Sequence, residues 1–529
     1  MTPGVVVGEV RDFVRAHERR RRLFPRAALV GLLAGLVAVA FRYTLDEADH
    51  LRGDLIAFSH SYPAWGFLIP IMFGALGSGV GVFLVQRFAP EASGSGIPHL
   101  KAVLHRLRRM AWRRILLVKF FGGAFSIGGG LTLGREGPTV QMGGAIGQMV
   151  SLWFKSTARE RQALIAAGAG AGLAAAFNAP LSGLIFVLEE VQRDFAPGVF
   201  TTTFVACVIA DVVTRLLYGQ LPAFHVDVYP TAPLDSLPIF LALGFVAGVS
   251  GVAFNRALLG SLRLFARVGH WPRGVLGAVV GAGVGGVGWF LPQVLGGGHR
   301  LVEQTLAGQV TMDALILFFA LRFVLTMFSY GTGAAGGIFA PLLVLGAQIG
   351  LLTGLVANYF FPAVVSDPTT FALVGMAAYF TAIVRAPLTG IVLIVEMTES
   401  YSLMLPLLVA CFCAYVIADF LGDTPIYEAL LERDLLRSQD APKLESNLLL
   451  ELLMQRDAPF EHQRIGDLKL PAGCLIITVE RRMSSYVADP DMVLQAGDRI
   501  TAVISPQAAK AAALLREGFT AKHSGHQFF

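Results

Sequence analysis

Charge and cysteine are the scarce components of this chain. Only 15% of its 529 residues are Asp, Glu, Lys or Arg, against about 25% in a typical soluble domain. That scarcity excludes a disordered chain and an ordinary soluble enzyme, both of which keep a charged surface in water. Four cysteines, Cys207, Cys411, Cys413 and Cys474, are too few for a disulfide scaffold or a zinc framework. Three of them lie in apolar stretches and read as small buried hydrophobes. No catalytic constellation and no phosphate loop appears, so neither an enzyme nor a cofactor or metal site is expected.

Apolar residues make up 54% of the chain, with a mean hydropathy of +0.62, and 59 Gly and 26 Pro interrupt them. This density of breakers excludes a coiled coil and points to an all-α polytopic membrane protein, a bundle of many broken helices. Apolar stretches recur at 27–44, 64–86, 115–133, 138–154, 162–191, 198–217, 237–266, 275–293, 313–329, 338–362, 371–397 and 403–421. Several fall short of the roughly 20 residues of a clean span. Broken helices at membrane depth are tolerated where they are buried in protein or line a polar cavity. The net charge of +5 is unevenly placed: Arg11, Arg15, Arg19, Arg20, Arg21, Arg22 and Arg26 precede the first apolar run. The positive-inside rule puts this N-terminal segment in the cytoplasm. The run lacks a small-residue cleavage site, so it is not read as a signal peptide. Membrane orientation explains its charge better than nucleic-acid binding does. A second basic, amphipathic stretch, 99–114, is expected to lie on the cytoplasmic face.

Three domains follow: a basic N-terminal segment 1–26, a membrane domain 27–440, and a small cytoplasmic α/β domain 441–529. Within the last, 474–479 and 500–504 read as strands and 506–515 as a helix. The polar stretch 423–441 has a helical pattern.

The membrane domain carries an internal duplication. Ala179-Pro-Leu-Ser-Gly-Leu-Ile-Phe-Val-Leu-Glu-Glu190 reappears as Ala386-Pro-Leu-Thr-Gly-Ile-Val-Leu-Ile-Val-Glu-Met397 at an offset of 207. Gly134-Arg-Glu-Gly-Pro138 aligns with Gly337-Ile-Phe-Ala-Pro341 at 203. The halves run over about 27–218 and 236–421. Duplication with matched Gly/Pro-interrupted segments is a transporter signature and points to the binding site; whether the halves are parallel or inverted is left open by these residues. Three segments, Gly94-Ser-Gly-Ile-Pro98, Gly134-Arg-Glu-Gly-Pro138 and Gly336-Gly-Ile-Phe-Ala-Pro341, place glycines just before a proline. Each reads as a loop entering a helix N-terminus, where unpaired N–H groups and the dipole favour an anion. A cation site would instead want carbonyls or acidic rings.

These motifs, with Lys119-Phe-Phe-Gly-Gly123 and Tyr427, resemble the CLC family of chloride channels and proton-coupled chloride transporters over about residues 27–435. The resemblance implies a homodimer with one pore per subunit, each built from two inverted repeats. It implies a central chloride site of Ser95, Ile338, Phe339 and Tyr427, using the Ser and Tyr hydroxyls and the Ile and Phe backbone N–H groups. It implies an outer anion site at Arg135, Glu136 and Gly137. Relatives often carry Glu where this chain has His99, which puts any ion pair there in doubt. Ser95 points to chloride, since a proline at this position tends to accompany nitrate preference.

By the same resemblance Glu136 is the gate and proton carrier, and Glu190 the internal proton acceptor. Glu190 has no evident partner in sequence except Glu189. Glu396, matching Glu189 across the repeat, reads as structural. Having both Glu136 and Glu190 favours a chloride/proton antiporter over a passive chloride channel of the same family. The segment 465–479 with Val493-Leu-Gln-Ala-Gly-Asp-Arg-Ile-Thr501 resembles the TrkA-C regulatory domain of potassium-transport proteins, which implies a ligand-sensing or dimerising module of unknown ligand. A cation-transport component is suggested by that tail alone. The expected setting is a prokaryotic cytoplasmic membrane, with both termini in the cytoplasm.

Overall fold

In a computed structural model, residues 3–193, 197–220, 233–268, 271–365, 367–437, 448–481, 484–505 and 510–520 are described, with side chains from Leu23 onward. The expected basic side chains at 11–22 and the expected domain boundary near 440 fall outside them. The chain divides into two compact units, residues 1–101 with 110–431, and residues 102–109 with 432–529.

The first half of the membrane unit runs α1 (Pro3–Ser59), α2 (Leu68–Phe88), α3 (Ile97–Leu104), α4 (Trp112–Gly128), α5 (Glu136–Trp153), α6 (Ala158–Phe177), α7 (Pro180–Phe186) and α8 (Pro197–Tyr218). The second runs α9 (Leu237–Arg267), α10 (Arg273–Phe290), α11 (His299–Leu306), α12 (Met312–Gly331), α13 (Phe339–Phe360), α14 (Thr369–Val384), α15 (Pro387–Thr398) and α16 (Met404–Phe420), followed by α17 (Ile426–Arg437). Among the described residues, seven helices are long and apolar enough to cross a membrane.

The apolar stretches 162–191 and 371–397 each fold as two helices rather than one. The breaks are equivalent. Asn178 closes α6 and Arg385 closes α14 in the left-handed region, at φ 55° and 65°, and Ala-Pro then starts the next helix. After α7 the helix widens into a π-turn, Val187–Val191, a feature that recurs at functional sites.

The halves are inverted, and two carboxylates show it. Glu189, at the C-terminal end of the α7 segment, accepts from the N–H groups of Leu388 (3.0 Å) and Thr389 (2.7 Å) at the start of α15. Glu396, near the end of α15, accepts from the N–H groups of Leu181 (2.9 Å) and Ser182 (2.7 Å) at the start of α7. Each helix end caps the other's beginning, which only antiparallel neighbours can do. These carboxylates satisfy N–H groups that a helix start leaves free. Glu396 is structural, as its sequence position suggested. Glu189 shares that role, so it is not an electrostatic partner held against Glu190.

Small residues let the paired helices approach closely, as they do where apolar attraction between helices is absent. A Cβ at Gly143 of α5 would overlap the carbonyl oxygen of Gly168 of α6, and one at Gly168 would overlap that of Gly143. Gly346 and Gly375 repeat the contact between α13 and α14.

The second unit holds a four-stranded antiparallel sheet in the order β1-β4-β2-β3, from β1 (Leu448–Leu453), β2 (Cys474–Arg481), β3 (Ser484–Val487) and β4 (Arg499–Ile504). Helix α18 (Lys510–Phe519) covers residues predicted helical only in part; positions 506–509 lie outside the described residues. Ile476, Val479, Ile500 and Ile504 pack with Leu515 and Phe519 into its core. Arg481 clamps the buried Asp498 through two bonds of 2.7 Å, fixing the turn before β4.

The glycine contacts give the first prediction. Gly168→Val drives a side chain into backbone that no rotamer can vacate, so it lowers stability by about 1–3 kcal/mol or more. Gly260→Ala, with no atom within 4 Å of the added carbon, leaves it unchanged. Thermal unfolding in detergent, read by size-exclusion chromatography, checks both.

Candidate functional site

Two of the three glycine–proline loops meet at the centre of the membrane unit. Gly134 and Gly337 form an antiparallel bridge, Gly134 N–H to Gly337 O at 2.7 Å and Gly337 N–H to Gly134 O at 2.8 Å. The bridge sets the starts of α5 and α13 against each other: a Cβ at Gly337 would lie 3.0 Å from the Gly137 nitrogen. Neither N-cap residue, Arg135 or Ile338, caps its helix with a side chain. The first N–H groups of both helices, and the positive ends of both dipoles, therefore converge.

The third loop is held against them. Lys119 of α4, fully buried, donates to the carbonyls of Ala92 (2.8 Å) and Gly94 (2.6 Å). Gly94 N–H donates to Ala334 O at 2.9 Å, and Gly336 N–H donates back to Gly94 O at 3.2 Å. Gly94 has φ +64°, and a side chain there would strike the Tyr330 hydroxyl, so the turn needs glycine on both grounds. Ser95 is buried, accepts from Ile97 N–H at 3.3 Å, and touches the position a Gly137 side chain would take.

Of the residues expected in the central site, Ser95, Ile338 and Phe339 thus lie around the joined helix starts. Phe339 sits in an aromatic cluster with Phe177, Phe186 and Phe380, its ring centroid 4.6 Å from that of Phe380. Tyr427 is fully buried, and its hydroxyl has no hydrogen-bond partner among the described residues. Glu136, Glu190 and Tyr330 are within electrostatic reach of it.

Glu136 begins α5 and is fully buried. Its Oε2 accepts from Ala340 N–H of α13 at 3.3 Å, while Oε1 has no hydrogen-bond partner among the described residues. The carboxylate therefore occupies the space in front of the second helix start, as a tethered anion. Arg135, expected beside it, turns its guanidinium instead toward Asp46 of α1, at 3.3 Å.

Glu190 lies in the π-turn after α7 and is 1% exposed. The expectation that Glu189 is its only neighbour is wrong. Glu190 Oε1 accepts from Lys101 Nζ at 2.7 Å, Lys101 also pairs with Glu428 at 3.2 Å, and Arg193 bridges Glu428 and Glu190. Lys101 comes from α3, 89 positions away, and no local pattern announces it. His99 and Lys101 are both buried, so this part of the basic stretch 99–114 is internal rather than surface. His99 meets Gln141, with 3.3 Å between Nδ1 and Nε2.

The second half builds a counterpart to Lys119 that the sequence did not suggest. Arg322 of α12, fully buried, donates to the carbonyls of Val294, Leu295, Gly296 and Gly297. Its offset from Lys119, 203, was the available signal. Sequence reading also missed the charges of α1, where Arg42, Asp46, Asp49 and Arg52 recur at three- and four-residue steps.

A family profile described as voltage gated chloride channel matches residues 74–419, and one described as TrkA-C domain matches 449–516. The H(+)/Cl(-) exchange transporter ClcA of Cronobacter sakazakii is 42% identical over 419 residues, 78% of this chain and 90% of the relative. That of Salmonella typhimurium is 40% identical over 452 residues, 82% and 95%. A solved slow cyanobacterial Cl-/H+ antiporter superposes with a TM-score of 0.76 at 38% identity, covering 79% of this chain and 99% of that one. A CLC-type fluoride/proton antiporter shares the fold, with a TM-score of 0.63 at 20% identity. The chain belongs to the voltage gated chloride channel family and carries a TrkA-C domain at its C-terminal end.

Proposed function

We propose that this protein exchanges chloride for protons across a membrane. The observation that carries the reading is the Glu136 carboxylate, which stands at the paired starts of α5 and α13, accepts from a backbone N–H of α13, and keeps one oxygen without a hydrogen-bond partner among the described residues. The exchange activity in the names of its relatives supports it.

An unpartnered ion taken out of water costs tens of kcal/mol by Born estimates. The backbone N–H groups of Ile338 and Phe339, with the hydroxyls of Ser95 and Tyr427, replace chloride's hydration at a central site. The N–H groups around Arg135, Glu136 and Gly137 do so at an outer one. Neutral donors hold the ion without trapping it. Lys119, bonded to the loop that carries Ser95, donates to its carbonyls and shapes the loop rather than binding the anion.

Glu136 competes for these donors when ionised. Protonated, it loses that attraction, swings off, and admits chloride. One group is thus either a proton carrier or an occupant of the anion site, which couples the two movements. Glu190 is the proton's inner station. It stands at the buried end of a string of charges that leads through Lys101 and Glu428 (27% exposed) to Arg193 (51% exposed). Tyr427, acted on by both glutamates, lies between the two functions. A passive channel has no use for Glu190, and this favours exchange over the channel reading.

The basic N-terminal segment sets that terminus, and the TrkA-C domain, in the cytoplasm of a prokaryote, so the Arg135 end of α5 faces outward. The protein works as a homodimer, as the family resemblance implies. Its C-terminal domain regulates transport by sensing a ligand or by dimerising.

Glu136→Ala abolishes proton movement and keeps chloride flux in reconstituted vesicles; uphill proton pumping driven by chloride in this variant contradicts the gate. Glu190→Ala likewise keeps chloride flux and loses proton flux. Glu189→Ala keeps both, and instead loses stability of about 1 kcal/mol with its helix cap. Tyr427→Ala weakens chloride binding about tenfold or more, the loss of a hydrogen bond to a charged group. Ser95→Pro shifts preference toward nitrate. Calorimetry and anion-selective efflux check the last two.

A further inference from the structure

The outer end of α1 carries a contact that neither the anion site nor the proton route uses. Asp46 Oδ1 accepts from Arg135 at 3.3 Å. The Tyr218 hydroxyl, from the last turn of α8, donates to Asp46 Oδ2. Arg42, one turn before Asp46, lays its guanidinium 3.6 Å from the Tyr218 ring centroid and donates to Asn178 at 3.5 Å. Asp46 is a third exposed, whereas the Arg135 side chain is 9% exposed and its Nε has no hydrogen-bond partner among the described residues. A buried cation held by a single carboxylate depends on it strongly.

Arg135 is also the N-cap of α5, the residue before Glu136. Glu136 is faced by Arg135 from its own helix, Arg42 from α1, the Ala340 N–H from α13, and Tyr427 from α17. Arg135 is faced further by His299 of α11, which in turn neighbours Arg322. Asp46 is the one carboxylate bonded to this cationic group among the described residues.

We propose that Asp46, oriented by Tyr218, is a positioning residue for the gate: it neutralises Arg135 and holds its guanidinium away from Glu136. This rests on the exchange reading above. The ion pair sets how strongly the outer end of the site favours an ionised Glu136, and so the outer pH at which the gate takes up its proton. Without Asp46, Arg135 bears an unshared charge beside Glu136, the carboxylate form gains, and more acid is needed to release it.

The test is the outer-pH dependence of chloride efflux from vesicles holding the full chain. Asp46→Asn shifts the profile about one pH unit toward acid, the low end of what an opposite charge within a few ångströms does, and leaves the chloride-to-proton ratio unchanged. Tyr218→Phe gives a smaller shift in the same direction, and Asp46→Glu restores the wild-type profile. In an Arg135→Ala background, Asp46→Asn adds no further shift, because the two act as one unit. An unmoved profile in Asp46→Asn, a loss of flux equal at every pH, or an Asp46→Glu variant no better than Asn overturns the proposal. If Asp46→Asn does not fold, an unmoved profile in Tyr218→Phe overturns it. Wild-type efflux without any pH dependence, or proton exchange retained in Glu136→Ala, instead overturns the exchange reading itself.

Discussion

The convergence of two uncapped helix starts is the constraint on which the rest of this structure depends. Free N–H groups buried away from water need a partner. The bridge between Gly134 and Gly337 places two sets of them in one small space, which suits an anion. Glu136 supplies that anion from within the chain. In the exchange proposed above, the group that fills this space is the one that leaves for an ion to enter.

Much of the surrounding architecture serves to hold those helix starts in place at membrane depth. In each half one fully buried cation, Lys119 or Arg322, gathers the carbonyls of the glycine loop before the short helix. A cation there satisfies carbonyls that a non-helical turn would otherwise leave bare in a low-dielectric setting. Glu189 and Glu396 do the converse for N–H groups at the starts of α15 and α7. Other buried charges pair with each other: Lys101 with Glu190 and Glu428, Arg135 with Asp46, and Arg385 with Asp423.

The parts of this design legible in the sequence are those with a local or repeating signal. Glycines just before a proline announce helix starts, the 207 offset announces the duplication, and a glutamate inside such a start announces an anion competitor. The breaks at Asn178 and Arg385 escaped because each sits in a continuous apolar run, and only the Ala-Pro that follows marks them. The pairing of Lys101 with Glu190 was invisible, since the two residues stand 89 positions apart and Lys101 looked like part of a solvated basic face. Glu189 misled for the opposite reason. Adjacency in sequence suggested a coupled pair with Glu190, but the π-turn sends the two side chains to different elements, one to α15 and the other to α3. The polar stripe on α1 follows ordinary helical spacing, and its role appears only once α5 and α8 are packed beside it.

Exchange and passive conduction differ in one thermodynamic quantity. For the purified full chain in a planar bilayer under opposed chloride and pH gradients, an exchanger reverses its current at a voltage displaced from the chloride equilibrium potential, and that voltage moves when the pH gradient alone is changed. A reversal potential fixed at chloride equilibrium, whatever the pH gradient, contradicts the coupling assigned to Glu136 and Glu190.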